Sequence, residues 1–368
     1  MTGLAHRGWR LNDYGKHLVN TLRKAGYVSA LSGVQHIARP STAEVEEIGY
    51  DELLTDKGPA EDITATAERF ISSPPGKPFF LSVGYFETHR PYPTEGLEDD
   101  PRYVRPPRPT PDTPATRRDM CGFMSLARRL DSNVGSVLDS LERAGLADNT
   151  LVICTTDHGI AFPGMKCNLT DDGTGVMLIM RGPGGCTGGK VIDGMVSHVD
   201  VYPTLCELLG IDAPDWLEGE SVMPLVRGEA EQVHDAIYSE VNYHAAYEPM
   251  RAVRTPTRKY IRRYVDGGLP VLPNADDSPS KDLWMSAGWP DRAVPSERLY
   301  DLTIDPAERC NLAADDAYAD DLVQCRALLA DWMMQTDDPL LSGKVPAPKG
   351  ARVNPSDGVS PNEPTDEA

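Results

Sequence analysis

A chain of 368 residues, 40% of them hydrophobic, can bury a large core and predicts two domains or one large α/β domain with an appendage. Its 56 acidic residues outnumber its 36 basic ones, and the net charge of −20 argues against a nucleic-acid partner, because phosphate binding needs a dense basic face. The apolar runs are too short to span a bilayer, so no membrane partner is expected. The seven cysteines contain no C-x-x-C pair, which is compatible with a cytoplasmic location.

Strands and helices alternate through roughly the first 225 residues, which is typical of a three-layer α/β/α sandwich around a mostly parallel mixed sheet. We assign residues 1–228 to this α/β domain. Residues 40–60 and 91–116 are predicted loops. The predicted helices are residues 11–25, 61–72, 117–144 and 199–209, and the predicted strands are residues 27–31, 79–86, 151–155 and 176–180.

Beyond Gly228 the pattern changes to short strands separated by turns and followed by one helix. We assign residues 229–340 to a small C-terminal α+β subdomain with an antiparallel sheet. Residues 341–368 carry five prolines among polar residues and are predicted to form a disordered tail. The predicted strands are residues 236–241, 250–254, 259–264 and 297–302, and the predicted helix is residues 317–334.

A carboxylate and an imidazole follow the apolar strand of residues 151–155, in Asp157-His158-Gly159. Ligands bind at the carboxyl edge of open α/β sheets, and an Asp and a His side by side can share one divalent cation. The alternative is a strand-ending turn, with Asp157 as a helix cap and His158 on the surface. The dipeptide alone supports both interpretations equally.

Two further strands are also followed by histidines. His89 comes after the apolar strand of residues 79–86, and His36 comes after the strand of residues 27–31. His89 could contact substrate oxygens or protonate a leaving group, or it could be a hydrogen-bonded histidine with a structural role. Lys166, eight residues after His158, could neutralise an anionic oxygen, although a loop lysine is more often simply solvated. Three histidines at strand ends together favour one shared site.

Residues 3 to about 335 resemble the sulfatase family of the alkaline-phosphatase superfamily, and within it the branch similar to heparan N-sulfatase (sulfamidase). Two of the matching motifs are specific when they occur together in this order. They are the helix start HVDVYPTL and the ending RLYDLTIDPAERCNL. The matching stretches are residues 26–36, 77–91, 151–166, 198–205 and 298–312.

The resemblance implies a metal-dependent sulfuric ester hydrolase that acts on sulfate esters or N-sulfates of small molecules or saccharides. Asp157 and His158 would ligate the metal. Lys166 and His89 would hold the sulfate and leaving-group oxygens, and His36 would match the histidine that hydrogen-bonds the catalytic nucleophile. The expected metal is Ca²⁺, with Mn²⁺ as the alternative, because an imidazole is a softer ligand than the amide that many sulfatases have in its place.

His198 and Asp200 match a motif that sulfatases share, and we expect a structural role for both. The sequence departs from the family elsewhere. It contains no C-x-P-x-R motif, whose cysteine is oxidised to the formylglycine nucleophile in this family, and it begins after the point where two acidic metal ligands would lie. Val34 stands where the family has a lysine, and an apolar side chain cannot replace an ammonium group beside an anion.

These departures predict that the chain is incomplete or inactive as an enzyme. Two alternatives remain open. One is a phosphate or phosphonate ester hydrolase of the same superfamily, since the phosphonate monoester hydrolase branch carries Asp-His at this position. The other is a non-catalytic remnant that binds anionic saccharides. A missing first strand would leave its two neighbours with unpaired backbone groups, so we expect the isolated chain to fold poorly or to associate.

Overall fold

The N-terminal region contains two separate small sheets. The computed structural model describes residues 2–5, 9–39, 42–265 and 268–367. Within these residues the first sheet is parallel and has the order β2-β1-β3, and the second pairs β4 antiparallel with β5. The strands are β1 Val28–Gly33, β2 Glu52–Thr55, β3 Phe79–Gly84, β4 Val152–Thr155 and β5 Leu178–Arg181. The helices are α1 Leu18–Lys24, α2 Thr42–Ile48, α3 Ala60–Ser72, α4 Pro114–Arg143, α5 Asp171–Thr174, α6 Val201–Leu209 and α7 Met223–Arg227.

Strand β1 is the buried centre of the parallel sheet. Both of its edges are paired, and its Leu31 packs in a cluster with Val45 and Ile48 of α2. Helix α3 places Ile63 and Ala67 one turn apart, and both are fully buried. The apolar face of an amphipathic helix therefore covers the sheet, as an α/β layer arrangement requires.

The prediction of a loop for residues 40–60 was wrong, because α2 and β2 lie there. The segment is rich in glutamate, and its few apolar residues do not form a long periodic pattern. Val45 and Ile48, three residues apart, are nevertheless buried on one side of the helix. The predicted helix of residues 11–25 also begins later, at Leu18, after a single 3₁₀ turn that Asp13 caps by accepting from the Gly15 N–H at 2.8 Å.

Strands β4 and β5 were predicted to be buried strands of a mostly parallel sheet, and the structure differs from this prediction. They run antiparallel, with Cys154 opposite Ile179, and hydrogen-bond to no other strand in the described ranges. The Ile179 side chain is 56% exposed. A strand that pairs on one edge and is covered on one face leaves such a residue open to water, and the apolar run alone cannot reveal this.

The C-terminal region confirms the predicted antiparallel sheet. Its order is β6-β7-β8-β9, and helix α9 packs on it. Val253, Tyr260 and Leu299 are completely buried beneath that helix. The strands are β6 Ile237–Tyr243, β7 Tyr247–Arg254, β8 Arg258–Arg263 and β9 Glu297–Asp301, and the helices are α8 Pro279–Ser286 and α9 Ala319–Gln335.

The C-terminal tail differs from the predicted disorder. Strands β10 (Arg352–Val353) and β11 (Asp366–Glu367) pair antiparallel, Ala351 is fully buried, and the Tyr243 hydroxyl donates to the Val345 carbonyl at 2.7 Å. A few contacts of apolar and backbone groups therefore order the tail against the C-terminal region. Amino-acid composition alone does not reveal such individual contacts. The last residue, Ala368, lies outside the described residues. No helix of the described ranges has the length and apolar character needed to cross a membrane.

Candidate active site

Lys166 and His89 form the centre of the site. The Lys166 Nζ lies 3.3 Å from His89 Nε2, although 77 residues separate them in the chain. His89 Nδ1 lies 2.7 Å from the Arg90 carbonyl oxygen, which only accepts hydrogen bonds, so Nδ1 carries a proton. Nε2 of the neutral ring then accepts from the ammonium group. The His89 ring also stacks on Phe86, with ring centroids 4.5 Å apart.

The Lys166 ammonium group is buried and paired. Its side chain is 5% exposed, and Nζ donates to Asp276 Oδ2 at 2.9 Å. Asp276 comes from the segment between β8 and α8, so a carboxylate of the C-terminal region completes the site. A buried ammonium group needs such a partner, since desolvation without one is costly.

Arg90 joins the loop after β3 to the loop after β4. Its guanidinium donates to both carboxylate oxygens of Asp119 at 2.7 and 2.8 Å, and to the Ala161 carbonyl at 2.7 Å. Ser280 of α8 donates its hydroxyl to the same carboxylate. The Arg90 and Asp119 side chains are 5% and 2% exposed. This buried network holds the two loops that carry the histidine and the lysine of the site.

Asp157 and His158 form a second pair at the end of β4. His158 Nδ1 lies 2.6 Å from the Gly159 carbonyl oxygen and therefore donates to it, which leaves the lone pair on Nε2. That Nε2 is 3.4 Å from Asp157 Oδ2, and the two side chains are 37% and 76% exposed. Two ligands each about 2.2 Å from one cation lie roughly 3–3.6 Å apart, so this pair fits one edge of a coordination sphere.

The pair is not a complete metal site. In the part of the chain that the structure describes, no three His, Cys, Asp or Glu side chains are grouped so that they could hold a metal ion. Asp157 and His158 offer one oxygen and one nitrogen donor, a mixed set that suits Mn²⁺ or Ca²⁺ when further oxygen ligands are added.

His198 and Asp200 have structural contacts. The Thr155 hydroxyl donates to the Met177 carbonyl at 2.7 Å, so the His198 Nε2, 2.9 Å away, donates to that hydroxyl oxygen. Burial lowers the pKa of His198, and the nearby Asp157 carboxylate partly opposes this. Asp200 is 1% exposed and accepts from backbone N–H groups of Ser197 and Glu220.

His36 lies on the turn after β1 and is exposed. The last residue of β1, Gly33, stands opposite Gly84, the last residue of β3. His36 and His89 therefore leave the parallel sheet at the same edge. The described contacts bring His89 together with Lys166, and Asp157 together with His158. One loop, residues 157–168, carries Lys166 and both members of the second pair.

Sequence reasoning missed Asp276, Asp119 and Ser280. Asp276 lies 110 residues after Lys166 in a different region of the molecule. No spacing distinguishes it among 56 acidic residues, so only the three-dimensional structure identifies it. Arg90 could have been suspected, because a charged residue directly after His89 at the end of an apolar strand must find a partner when it is buried.

Comparison with known proteins decides the family. The Sulfatase family profile matches residues 2–211, and the profile "N-sulphoglucosamine sulphohydrolase, C-terminal" matches residues 166–279. The chain belongs to the sulfatase family. The chain is 28% identical over 397 residues to N-sulphoglucosamine sulphohydrolase of Homo sapiens, covering 92% of this chain and 78% of the relative. It is also 28% identical to the Delta 4,5-hexuronate-2-O-sulfatase of Bacteroides thetaiotaomicron, covering 87% and 70%.

Solved structures share the fold. A putative sulfatase from Bacteroides thetaiotaomicron has a TM-score of 0.69 at 23% identity and covers 96% of this chain and 83% of its own. The phosphonate monoester hydrolase of Agrobacterium radiobacter has a TM-score of 0.65 at 18% identity and covers 91% and 83%. The fold is therefore that of sulfatases and phosphonate hydrolases alike, and the chemistry has to be argued from the site.

Proposed function

We propose that this sulfatase provides the metal-binding and anion-binding groups of a site that hydrolyses sulfate esters or N-sulfates of saccharides. The family supports a sulfuric ester hydrolase. The observation that carries the proposal is the Lys166–His89 pair, because it places a buried ammonium group beside an imidazole at the end of a strand. A sulfate group offers three peripheral oxygens to such donors.

Lys166 would bind a sulfate oxygen. Its ammonium group is held in a mostly buried position, where a charge-assisted hydrogen bond is stronger than it is in water. His89 in the neutral form steadies the ammonium group through Nε2, and in the protonated form it donates from Nε2 to the leaving oxygen. In both forms Nδ1 keeps its proton and donates to the Arg90 carbonyl oxygen.

Asp157 and His158 would hold the divalent cation, with Ca²⁺ as the first expectation and Mn²⁺ as the alternative. When bound, such a cation offsets negative charge on the ester oxygens. Gly159 supports this role for His158, because its carbonyl fixes the proton on Nδ1 and frees Nε2 for coordination. The sequence contains no C-x-P-x-R motif, so the proposal assigns binding and protonation to this chain and no nucleophile.

The test is titration of inorganic sulfate into the wild type and into Lys166→Met, each in the presence of Ca²⁺ or Mn²⁺. Loss of a charge-assisted hydrogen bond of about 1.5–3 kcal/mol predicts sulfate binding that is weaker by roughly 10-fold to 100-fold. Lys190→Met is the matched control, because Lys190 is an exposed lysine that donates to the Val226 carbonyl. Equal sulfate affinity in Lys166→Met and in the wild type would contradict the proposal.

A phosphate or phosphonate ester is the second candidate substrate, and the Asp157-His158 pair favours it. A tetrahedral anion of similar size fits the same groups. Parallel titrations with sulfate, phosphate and phenylphosphonate separate the two candidates. Tenfold tighter binding of the phosphorus anions would favour the second, and preference for sulfate would favour the first.

A further inference from the structure

The ammonium group of Lys166 has two of its three N–H directions occupied. Nζ donates to Asp276 Oδ2 at 2.9 Å and lies 3.3 Å from His89 Nε2. Within the described ranges, these are the partners of Nζ. The ammonium group carries three donors in tetrahedral directions, so fixing two of them also fixes the third. A lysine ordinarily acts as a freely rotating point charge, whereas here the third donor has a set direction.

Asp276 sits on a segment that is itself firmly held. Two residues earlier, the buried Asn274 accepts from the backbone N–H groups of Ala245 and Ala246 at 3.1 and 2.9 Å. Five residues later, the buried Lys281 donates to the Ala275 carbonyl at 2.7 Å and to the Val359 carbonyl of the tail at 2.7 Å. The Asp276 side chain is only 12% exposed. Its carboxylate therefore has little freedom to follow the lysine, and the lysine must conform to it.

We propose that Asp276 is a positioning residue, which holds the Lys166 ammonium group so that its third N–H is directed toward the bound anion. The inference rests on the proposed function, in which Lys166 binds a sulfate oxygen. It adds that the C-terminal region takes part in anion binding through this one carboxylate. Asp276 itself touches no anion, because two negative groups repel each other.

The predicted consequence of Asp276→Asn is weaker sulfate binding that a conservative variant repairs. Without the carboxylate, the ammonium group loses one of its two fixed acceptors, and its third N–H no longer has a set direction. Sulfate binding by Asp276→Asn should therefore be weaker by roughly 10-fold. Asp276→Glu keeps a carboxylate acceptor and should recover part of the affinity, which a role in packing alone would not predict.

Competitive acetylation of Lys166, read by mass spectrometry, gives a second measurement that needs no anion. Pairing with a carboxylate protects an amine from acetic anhydride, so Asp276→Asn should raise the labelling rate of Lys166 at pH 8 by about 10-fold or more. Asp277→Asn is the matched control. The Asp277 carboxylate is adjacent in the sequence, but it accepts from Lys281 at 2.9 Å and not from Lys166. The control should label Lys166 at the wild-type rate.

The two measurements separate the inference from the proposed function. If the wild type binds no sulfate, the proposed function fails, and with it the role of Asp276 in anion binding. Faster labelling of Lys166 in Asp276→Asn would still show, in that case, that Asp276 holds the ammonium group. Equal labelling of Lys166 in Asp276→Asn and Asp277→Asn, or a sulfate affinity of Asp276→Asn equal to that of the wild type, would overturn the inference even if the wild type binds sulfate.

Discussion

Strands β3 and β5 of the N-terminal region bury their apolar residues far less than the strands of the C-terminal sheet do. In the C-terminal sheet Tyr260 and Leu299 are completely buried beneath α9. In the N-terminal region every residue of β3 is only partly buried, and Ile179 of β5 is 56% exposed. Helix α9 covers the C-terminal sheet, whose central strands β7 and β8 pair along both edges, whereas β3 and β4 each pair along a single edge among the described strands.

The strands that lead to the candidate site, β3 and β4, contain no fully buried residue, whereas Phe162 and Met165 in the loop before Lys166 are buried. The energy gained from burying a side chain scales with the area removed from water, so half-buried strands contribute less per residue. The site depends on two buried ion pairs. Arg90 with Asp119 joins the loop after β3 to α4, and Lys166 with Asp276 joins the loop after β4 to the C-terminal region. Open strand edges also favour association with another chain.

The largest expected effect comes from the buried ion pair of the C-terminal region. Arg251 and Asp338 are both 0% exposed, and the guanidinium donates to both carboxylate oxygens. Asp338→Ala removes the bidentate partner of the buried guanidinium and leaves only Glu240, at 3.3 Å, as its carboxylate. The variant should lower the free energy of unfolding by about 3–5 kcal/mol. Urea unfolding followed by circular dichroism measures the loss, and a loss below about 1 kcal/mol would contradict a large stabilising role for this ion pair.

A matched pair of isoleucines sharpens the comparison. Ile261 of β8 is completely buried, whereas Ile179 is 56% exposed. Ile261→Ala should cost about 2–5 kcal/mol, because it removes buried methylene groups and leaves a cavity, and Ile179→Ala should change the free energy of unfolding by less than about 0.5 kcal/mol. The same urea experiment measures both variants. Similar costs would mean that the exposed face of β5 is covered in solution, for example by self-association.

Glu308 at the junction of the two regions gives the smaller, pH-dependent effect. Burial raises the pKa of its carboxyl to about 7. A raised folded-state pKa means that the stabilisation from the protonated form is complete below the unfolded value and is lost as the pH rises toward 7. Glu308→Gln removes that loss. The variant should be more stable than the wild type at pH 8, by up to about 3 kcal/mol.

The difference for Glu308→Gln should shrink as the pH falls and vanish near pH 4.5, where both side chains are uncharged. Thermal melts at several pH values of the wild type and the variant measure this difference. A gap that is the same at pH 5 and pH 8 would show that Glu308 is already charged and paired across this range.

The sequence predicted the strands that end at the site better than the residues that hold the site together. The apolar runs before His89 and Asp157 are long enough to identify as strands. The positions of His89 and His158 at the ends of these strands follow from that prediction. α2 and β2 were missed because their buried residues are few and separated by glutamates. Asp276 could not be found, because its contact with Lys166 depends on how two regions pack, and no local pattern records that.

The most direct test of the account is a crystal structure of the protein soaked with Mn²⁺ and tungstate, in which anomalous scattering locates both. The account predicts a manganese peak at Asp157 Oδ2 and His158 Nε2, with the tungstate next to it and within hydrogen-bonding distance of Lys166 Nζ. A tungstate whose oxygens lie too far from the manganese ion to contact it, or a tungstate away from Lys166, would show that the two residue pairs do not form one site.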